Sequence, residues 1–166
     1  MHIGLIGGIG PAATVAYYSA LVTAFRDADT PLSLTISHAD ISVLSQNAAQ
    51  DRRDAQAEVF ADHLTRLAAA GCEIGVITAL TGHFCLEETR ARAPIPVLDG
   101  TDVIDRHCQE TGVKVLGLLG SPTVLKSRLF GRLTGCRVVV PQTDLDTLGA
   151  AYMEVARTGT CLPPQR

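Results

Sequence analysis

Ile3-Gly4-Leu5-Ile6-Gly7-Gly8-Ile9-Gly10-Pro11-Ala12-Ala13-Thr14 is the stretch that decides how this chain reads. A short apolar run closed by glycines predicts a strand over residues 2–6 and a sharp turn. Pro11 then suits the first turn of a helix, expected over 11–27. Glycines let the turn bring backbone close to a ligand, and the free N–H groups of the helix start suit an anion such as a carboxylate or phosphate. Gly8, Gly10 and Thr14 are therefore candidate binding residues, with the hydroxyls of Tyr17 or Tyr18 one turn further on. Gly8-x-Gly10-x-x-Ala13 also matches the dinucleotide fingerprint in form. Pro11 lacks an N–H near where a pyrophosphate would dock, and Asp40 comes later than the usual ribose-binding acid, so no dinucleotide cofactor is expected.

Working outward, residues 32–38 alternate as a strand does, and 52–70 carry a long helical pattern with Val59, Phe60, His63, Leu64, Leu67 and Ala68 on one face. Residues 74–79 read as a buried parallel strand, 82–92 as a helix, and 94–98 as a short strand entry. The order βαβαβαβ predicts an α/β fold with a doubly wound parallel sheet. Ile3-Gly4-Leu5-Ile6-Gly7 then recurs as Leu116-Gly117-Leu118-Leu119-Gly120, followed by an expected helix over 124–133, strand over 137–140 and helix over 145–157. The echo predicts two pseudo-symmetric lobes, 1–99 and 100–166, with a ligand between them where strand ends face each other. The spacing of 113 residues between Ile3 and Leu116 puts the counterpart of the 74–79 strand near position 187, past Arg166. The second lobe is accordingly expected to be incomplete in this chain.

Composition narrows the function. The 166 residues are 46% hydrophobic and carry a formal net charge of −3, which offers neither nucleic acid nor an anionic membrane a general attraction. Aromatic residues make up 4% with no Trp, so base-stacking platforms are scarce. No run approaches the ~18 apolar residues of a membrane span, and the N-terminus lacks the pattern of a signal peptide, which favours a cytoplasmic protein. The five cysteines are scattered without metal-ligand spacing, so free thiols are expected and no metal site.

The opening motif resembles that of the cofactor-independent aspartate/glutamate racemase superfamily. The resemblance continues in Ala79-Leu80-Thr81-Gly82-His83, where the family has a Cys-Asn-Thr-x-His or Thr-Asn-Thr-x-His motif, and in Pro94-Ile95-Pro96-Val97-Leu98. It extends to Gly117-Leu118-Leu119-Gly120-Ser121-Pro122-Thr123-Val124 and to Tyr152-Met153-Glu154-Val155-Ala156-Arg157-Thr158-Gly159. It implies two α/β lobes around a cleft and an amino-acid racemase, an isomerase that needs neither pyridoxal phosphate nor any other cofactor. Two acid/base groups, thiols in the family, would act on opposite faces of the α-carbon of an acidic amino acid. Family members commonly form homodimers, so the resemblance also makes a homodimer a candidate assembly.

The chain departs from that pattern at the chemistry. Ala79 holds the position of the first base and carries no proton-transfer group. Leu80 replaces an amide side chain, and the second base position falls beyond Arg166. The two-thiol route is therefore not expected. A single-base reaction on a dicarboxylate, or binding of an acidic amino acid or dicarboxylate without catalysis, are the alternatives. Among the remaining residues, His83 matches the family's histidine and is the candidate acid/base or orienting group, with bracing of its loop as the other reading. Thr81, Ser121, Thr123 and Arg157 join Gly8, Gly10 and Thr14 as candidate substrate ligands; Ser37 and His38 are expected at the cleft mouth. Cys85 reads as packing, and His63 and His107 as surface or satisfied side chains.

Overall fold

The computed structural model describes residues 1–142 and 144–161. The chain divides into two compact units, Met1–Leu98 and Asp99–Arg166. In the first, β1 (His2–Gly7) is followed by α1 (Pro11–Asp27), β2 (Ser33–His38), α2 (Ile41–Ala49), α3 (Arg53–Ala69), β3 (Ile74–Ile77), a 3₁₀ turn (Leu80–Cys85) and α4 (Leu86–Arg90). The strands form a parallel sheet in the order β2-β1-β3. Val97 adds a single parallel bridge to Gly75, all that forms of the strand expected over 94–98.

β1 is the central strand, and its apolar side chains are buried on both faces, which is why it reads as an unbroken apolar run. Gly4 and Gly75 are register partners on β1 and β3. A Cβ on Gly4 would sit 3.0 Å from Leu67 Cδ1, and one on Gly75 would collide with Leu64 Cδ2. The two glycines thus clear a flat patch onto which α3 lowers Leu64 and Leu67, both essentially unexposed, alongside Phe60. Gly7, three residues after Gly4, faces the other way, where a Cβ would press on Thr14 of α1 and Ile36 of β2. The two helices therefore cover opposite faces, as in a doubly wound sheet. α1 does so lightly: none of its residues is buried, and Val15, Tyr17, Tyr18 and Val22 are exposed.

Two local features differ from the expected pattern. α2 forms where no separate helix was read; Asp40 caps it by accepting from the Ser42 N–H at 2.7 Å. The helix expected over 82–92 begins instead as a 3₁₀ turn, because Gly82 packs against Ile77 and Phe60, where a Cβ would lie 2.8 Å from Ile77 Cγ2 and 2.9 Å from Phe60 Cζ.

The second unit contains α5 (Gly100–Thr111), β4 (Val115–Gly117), α6 (Pro122–Ser127), a 3₁₀ turn (Leu129–Gly131), β5 (Arg137–Val139) and α7 (Leu145–Thr158). Among its described residues the sheet is a parallel pair, β4-β5. The strand–turn–Pro–helix–strand–Asp–helix order of the first unit recurs: Pro122 opens α6 as Pro11 opens α1, and Asp144 caps α7 as Asp40 caps α2. α5, unread in the sequence, is capped by Asp99, whose carboxylate accepts from Thr101 N at 2.8 Å and pairs with Arg132 at 2.9 Å. It ends at Gly112 in the left-handed region (φ 71°).

The helix expected over 124–133 stops at Ser127. Arg128, Leu129 and Phe130 take φ of 49°, 55° and 60°, an unfavourable region for side-chain-bearing residues. Complete burial of Leu129 and a Phe130 N–H donated to Ser127 Oγ at 3.2 Å offset that cost. Asp105 of α5 then ties down the next segment, accepting from the N–H groups of Thr134 and Gly135, each at 2.8 Å.

The flat patch predicts coupling. Leu64→Ala should cost about 2–5 kcal/mol in urea unfolding and Gly75→Ala about 1–3 kcal/mol from overpacking. The double variant should lose less than the sum, since the shortened side chain makes room for the new methyl; additive losses would refute the close approach. The clasp predicts acid sensitivity. The Gly135 N–H, with help from Thr134 and Gln109, holds the Asp105 carboxyl below its ordinary value. A depressed carboxylate contributes stability that is present above about pH 4 and is lost as pH falls through the folded value. Asp105→Asn should therefore flatten the acid limb of a stability-versus-pH curve while lowering stability at neutral pH.

Candidate functional site

At the C-terminal end of the first sheet, β1 runs into the loop Gly8–Ile9–Gly10 before α1. Gly8 needs its left-handed φ of 81°, and a Cβ there would collide with the Ala39 carbonyl and lie 2.6 Å from His38 Cε1. The loop is pinned by hydroxyls. Gly8 N–H donates to Thr14 Oγ1 at 3.0 Å, and Thr14 Oγ1 lies 3.1 Å from Thr78 Oγ1 and 3.3 Å from the Gly10 carbonyl. Thr78, at the end of β3, donates onward to the Ile6 carbonyl at 2.9 Å. The one Thr14 proton has both the Gly10 carbonyl and Thr78 Oγ1 within reach. This chain of hydroxyls puts Ala79, the next residue, beside the glycine loop.

Gly8, Gly10, Thr14 and Ala79 thus gather at one strand end. α1 begins at Gly10 without a side-chain cap, so its first-turn amides at Ala12 and Ala13 have no intrahelical acceptor. His38, at the end of β2, is exposed with its ring over Gly8. Thr81 is half-buried in the 3₁₀ turn. His83 is only 2% exposed, and its Nδ1 lies 3.3 Å from the Ala79 carbonyl. Because a carbonyl only accepts, Nδ1 carries the proton, and the ring braces the Ala79 turn. Cys85 is fully buried, its Sγ 3.5 Å from the Gly82 carbonyl, and burial first of all pushes its thiol up to about 11. Such a thiol is inert at neutral pH.

Ser37, read with His38 at the end of β2, turns toward α3, where its Oγ meets His63 Nδ1 at 2.7 Å. Burial, then the Arg66 charge, lowers the pKa of His63, so it sits neutral in this pair at pH 7. Thr78 is the residue that sequence reasoning passed over; its signal was a lone hydroxyl inside the apolar run Ile74-Gly75-Val76-Ile77-Thr78-Ala79.

In the second unit, Ser121 is buried and caps α6, its Oγ accepting from Val124 N–H at 3.4 Å. Thr123 is half-buried in the same helix, and Arg157 is exposed in the last turn of α7. Among the described residues, no group of three or more His, Cys, Asp or Glu side chains is arranged to hold a metal ion. Among the same residues, no helix is long and apolar enough to cross a membrane.

Residues 6–144 match the family model Asp/Glu/Hydantoin racemase. The chain belongs to this family. Solved structures share the fold. An aspartate racemase homologue from Pyrococcus horikoshii OT3 is 23% identical with a TM-score of 0.71, over 90% of this chain and 68% of its own. A putative Asp/Glu racemase from Yersinia pestis is 24% identical with a TM-score of 0.75, over 93% and 70%. The aspartate racemase of Picrophilus torridus is 20% identical with a TM-score of 0.76, over 96% and 70%. At these identities the likeness is one of fold.

The hydroxyl chain carries a prediction. Thr14→Val keeps the side-chain shape but leaves the buried Gly8 N–H without its acceptor. It should cost about 1–3 kcal/mol and speed hydrogen exchange at the Gly8 amide. Unchanged exchange there would mean the loop is held by something else.

Proposed function

We propose that this member of the Asp/Glu racemase family binds the carboxylate of an acidic amino acid or related dicarboxylate at the Gly8–Gly10 loop and the start of α1, without carrying out two-base inversion at the α-carbon. The observation behind this reading is Ala79. A methyl group stands at the strand end where the family's resemblance calls for a proton-transferring side chain. The nearby groups do not replace it: His83 is buried and braces the turn, and the Cys85 thiol is buried and held protonated. The uncapped helix start and the glycine loop support anion binding. Thr81, Ser121, Thr123 and Arg157 belong to the same reading as further substrate contacts, as do a cytoplasmic setting and independence of any cofactor.

A second reading, single-base chemistry on a diacid, is favoured by one observation. The exposed His38 imidazole lies over Gly8, at the loop itself, and an imidazole is a common general acid or base.

Incubation with L- and D-aspartate and L- and D-glutamate in deuterated water, followed by proton NMR, separates these readings. The expected result is an intact α-proton signal, with saturable shifts of the Gly8 and Gly10 amides in a parallel titration in ordinary water. Exchange without inversion, abolished in His38→Gln, would favour the single-base reading. Exchange with appearance of the opposite enantiomer would overturn the proposal. Ala79→Cys is expected to introduce α-proton exchange in one enantiomer; a thiol there that binds ligand yet exchanges nothing would mean the ligand's α-carbon lies elsewhere.

A further inference from the structure

The second unit holds two cysteines that sequence spacing kept apart and folding brings together. Cys108 lies on the face of α5 that also carries Asp105 and Gln109. Asp105 accepts from Thr134 N, Gly135 N and Thr134 Oγ1 at 2.8, 2.8 and 2.9 Å, and Gln109 Nε2 donates to Asp105 at 2.9 Å. The Gln109 side chain also lies directly against Gly135, where a Cβ would strike it. Cys136 is the next residue, so the clasp sets it beside the turn of α5 that carries Cys108, and the Cys108 thiol is among the groups that raise its pKa. Cys108 is 2% exposed, whereas Cys136 is half-buried.

We propose that Cys108 and Cys136 form an oxidation site, a thiol pair that closes to an intrachain disulfide when a peroxide reaches it. Cys136, the accessible member, reacts first. Its thiolate sulfur attacks one peroxide oxygen, the O–O bond breaks and hydroxide leaves, giving a sulfenic acid. The Cys108 sulfur then attacks the Cys136 sulfur, the S–S bond forms, and the sulfenic oxygen leaves as water with the Cys108 proton. Two thiols are oxidised to one disulfide while one peroxide is reduced to two waters. Burial, the Cys108 thiol and the Asp105 carboxylate raise the pKa of Cys136, so the pair rests as a dithiol and closes slowly, through the small fraction present as thiolate. Closure would cross-link α5 to the entry of β5 and bridge the chain that carries β4 and the Ser121 turn. That bridge removes freedom chiefly from the unfolded state.

Of the other cysteines, Cys72 and Cys85 are buried in the first unit, and Cys161 follows α7.

The test uses the full chain, treated with one equivalent of hydrogen peroxide, alkylated with iodoacetamide under denaturing conditions and digested with trypsin. Free thiols are expected to fall from five to three per chain. Peptide 107–114 should appear linked to peptide 133–137 and lighter by two hydrogen atoms. The thermal midpoint should rise, and dithiothreitol should reverse both changes. In Cys108→Ser the linked peptide should vanish and Cys136 should be trapped as the sulfenic acid by dimedone. A disulfide joining Cys136 to Cys161 or to another copy of the chain would overturn the proposal. So would full alkylation of both Cys108 and Cys136 after the oxidant.

Discussion

The close approach of α3 to the sheet over Gly4 and Gly75 is the constraint on which the first unit depends. Side chains on either glycine would stand where Leu64 and Leu67 now sit, lifting the helix off β1 and β3. With the helix down, Phe60 reaches over Gly82 and draws the turn after β3 into a 3₁₀ coil. That coil is what turns the chain back at Ala79. The position of the candidate site therefore follows from packing on the far side of the sheet, through residues with no chemistry of their own.

On the near side, the same strands are joined by hydroxyls. Thr78 reaches the Ile6 carbonyl, Thr14 reaches Thr78, and Gly8 donates to Thr14. Such a chain fixes a glycine-rich turn that would otherwise sample many conformations. It also has a consequence for reactivity. Most polar groups near the strand ends are already committed: Thr14 to its loop, His83 to the Ala79 carbonyl, Ser37 to His63. What faces outward is backbone, at the start of α1, together with the His38 ring. A surface built this way is better suited to holding an anion than to moving a proton.

Much of the fold was legible in the chain. Apolar runs at 2–6 and 74–79, each ending in small or polar residues, matched buried parallel strands, and Pro11 and Pro122 marked helix starts. The family was legible in Ile3 to Thr14 and Ala79 to His83, since a tight turn that only glycine can take restricts residue choice more than a core does. α2 and α5 escaped because short helices depend on their caps, and Asp40 and Asp99 become caps only once the chain has turned. The helix beyond Ser127 failed for a different reason. Its local pattern favours continuation, but burying Leu129 won over backbone preference.

The sequence by itself determined the α/β class, the alternation of strands and helices that calls for a parallel sheet, the glycine turn and the absence of a titratable side chain at position 79. These follow from local periodicity and from residue identity, which need no neighbours. Tertiary structure alone decided which polar groups are spent and which remain. Whether Ser37 meets His63 and whether Thr14 meets Thr78 depend on contacts between residues tens of positions apart. Hydrogen bonds and burial are properties of those contacts, and no spacing along the chain records them.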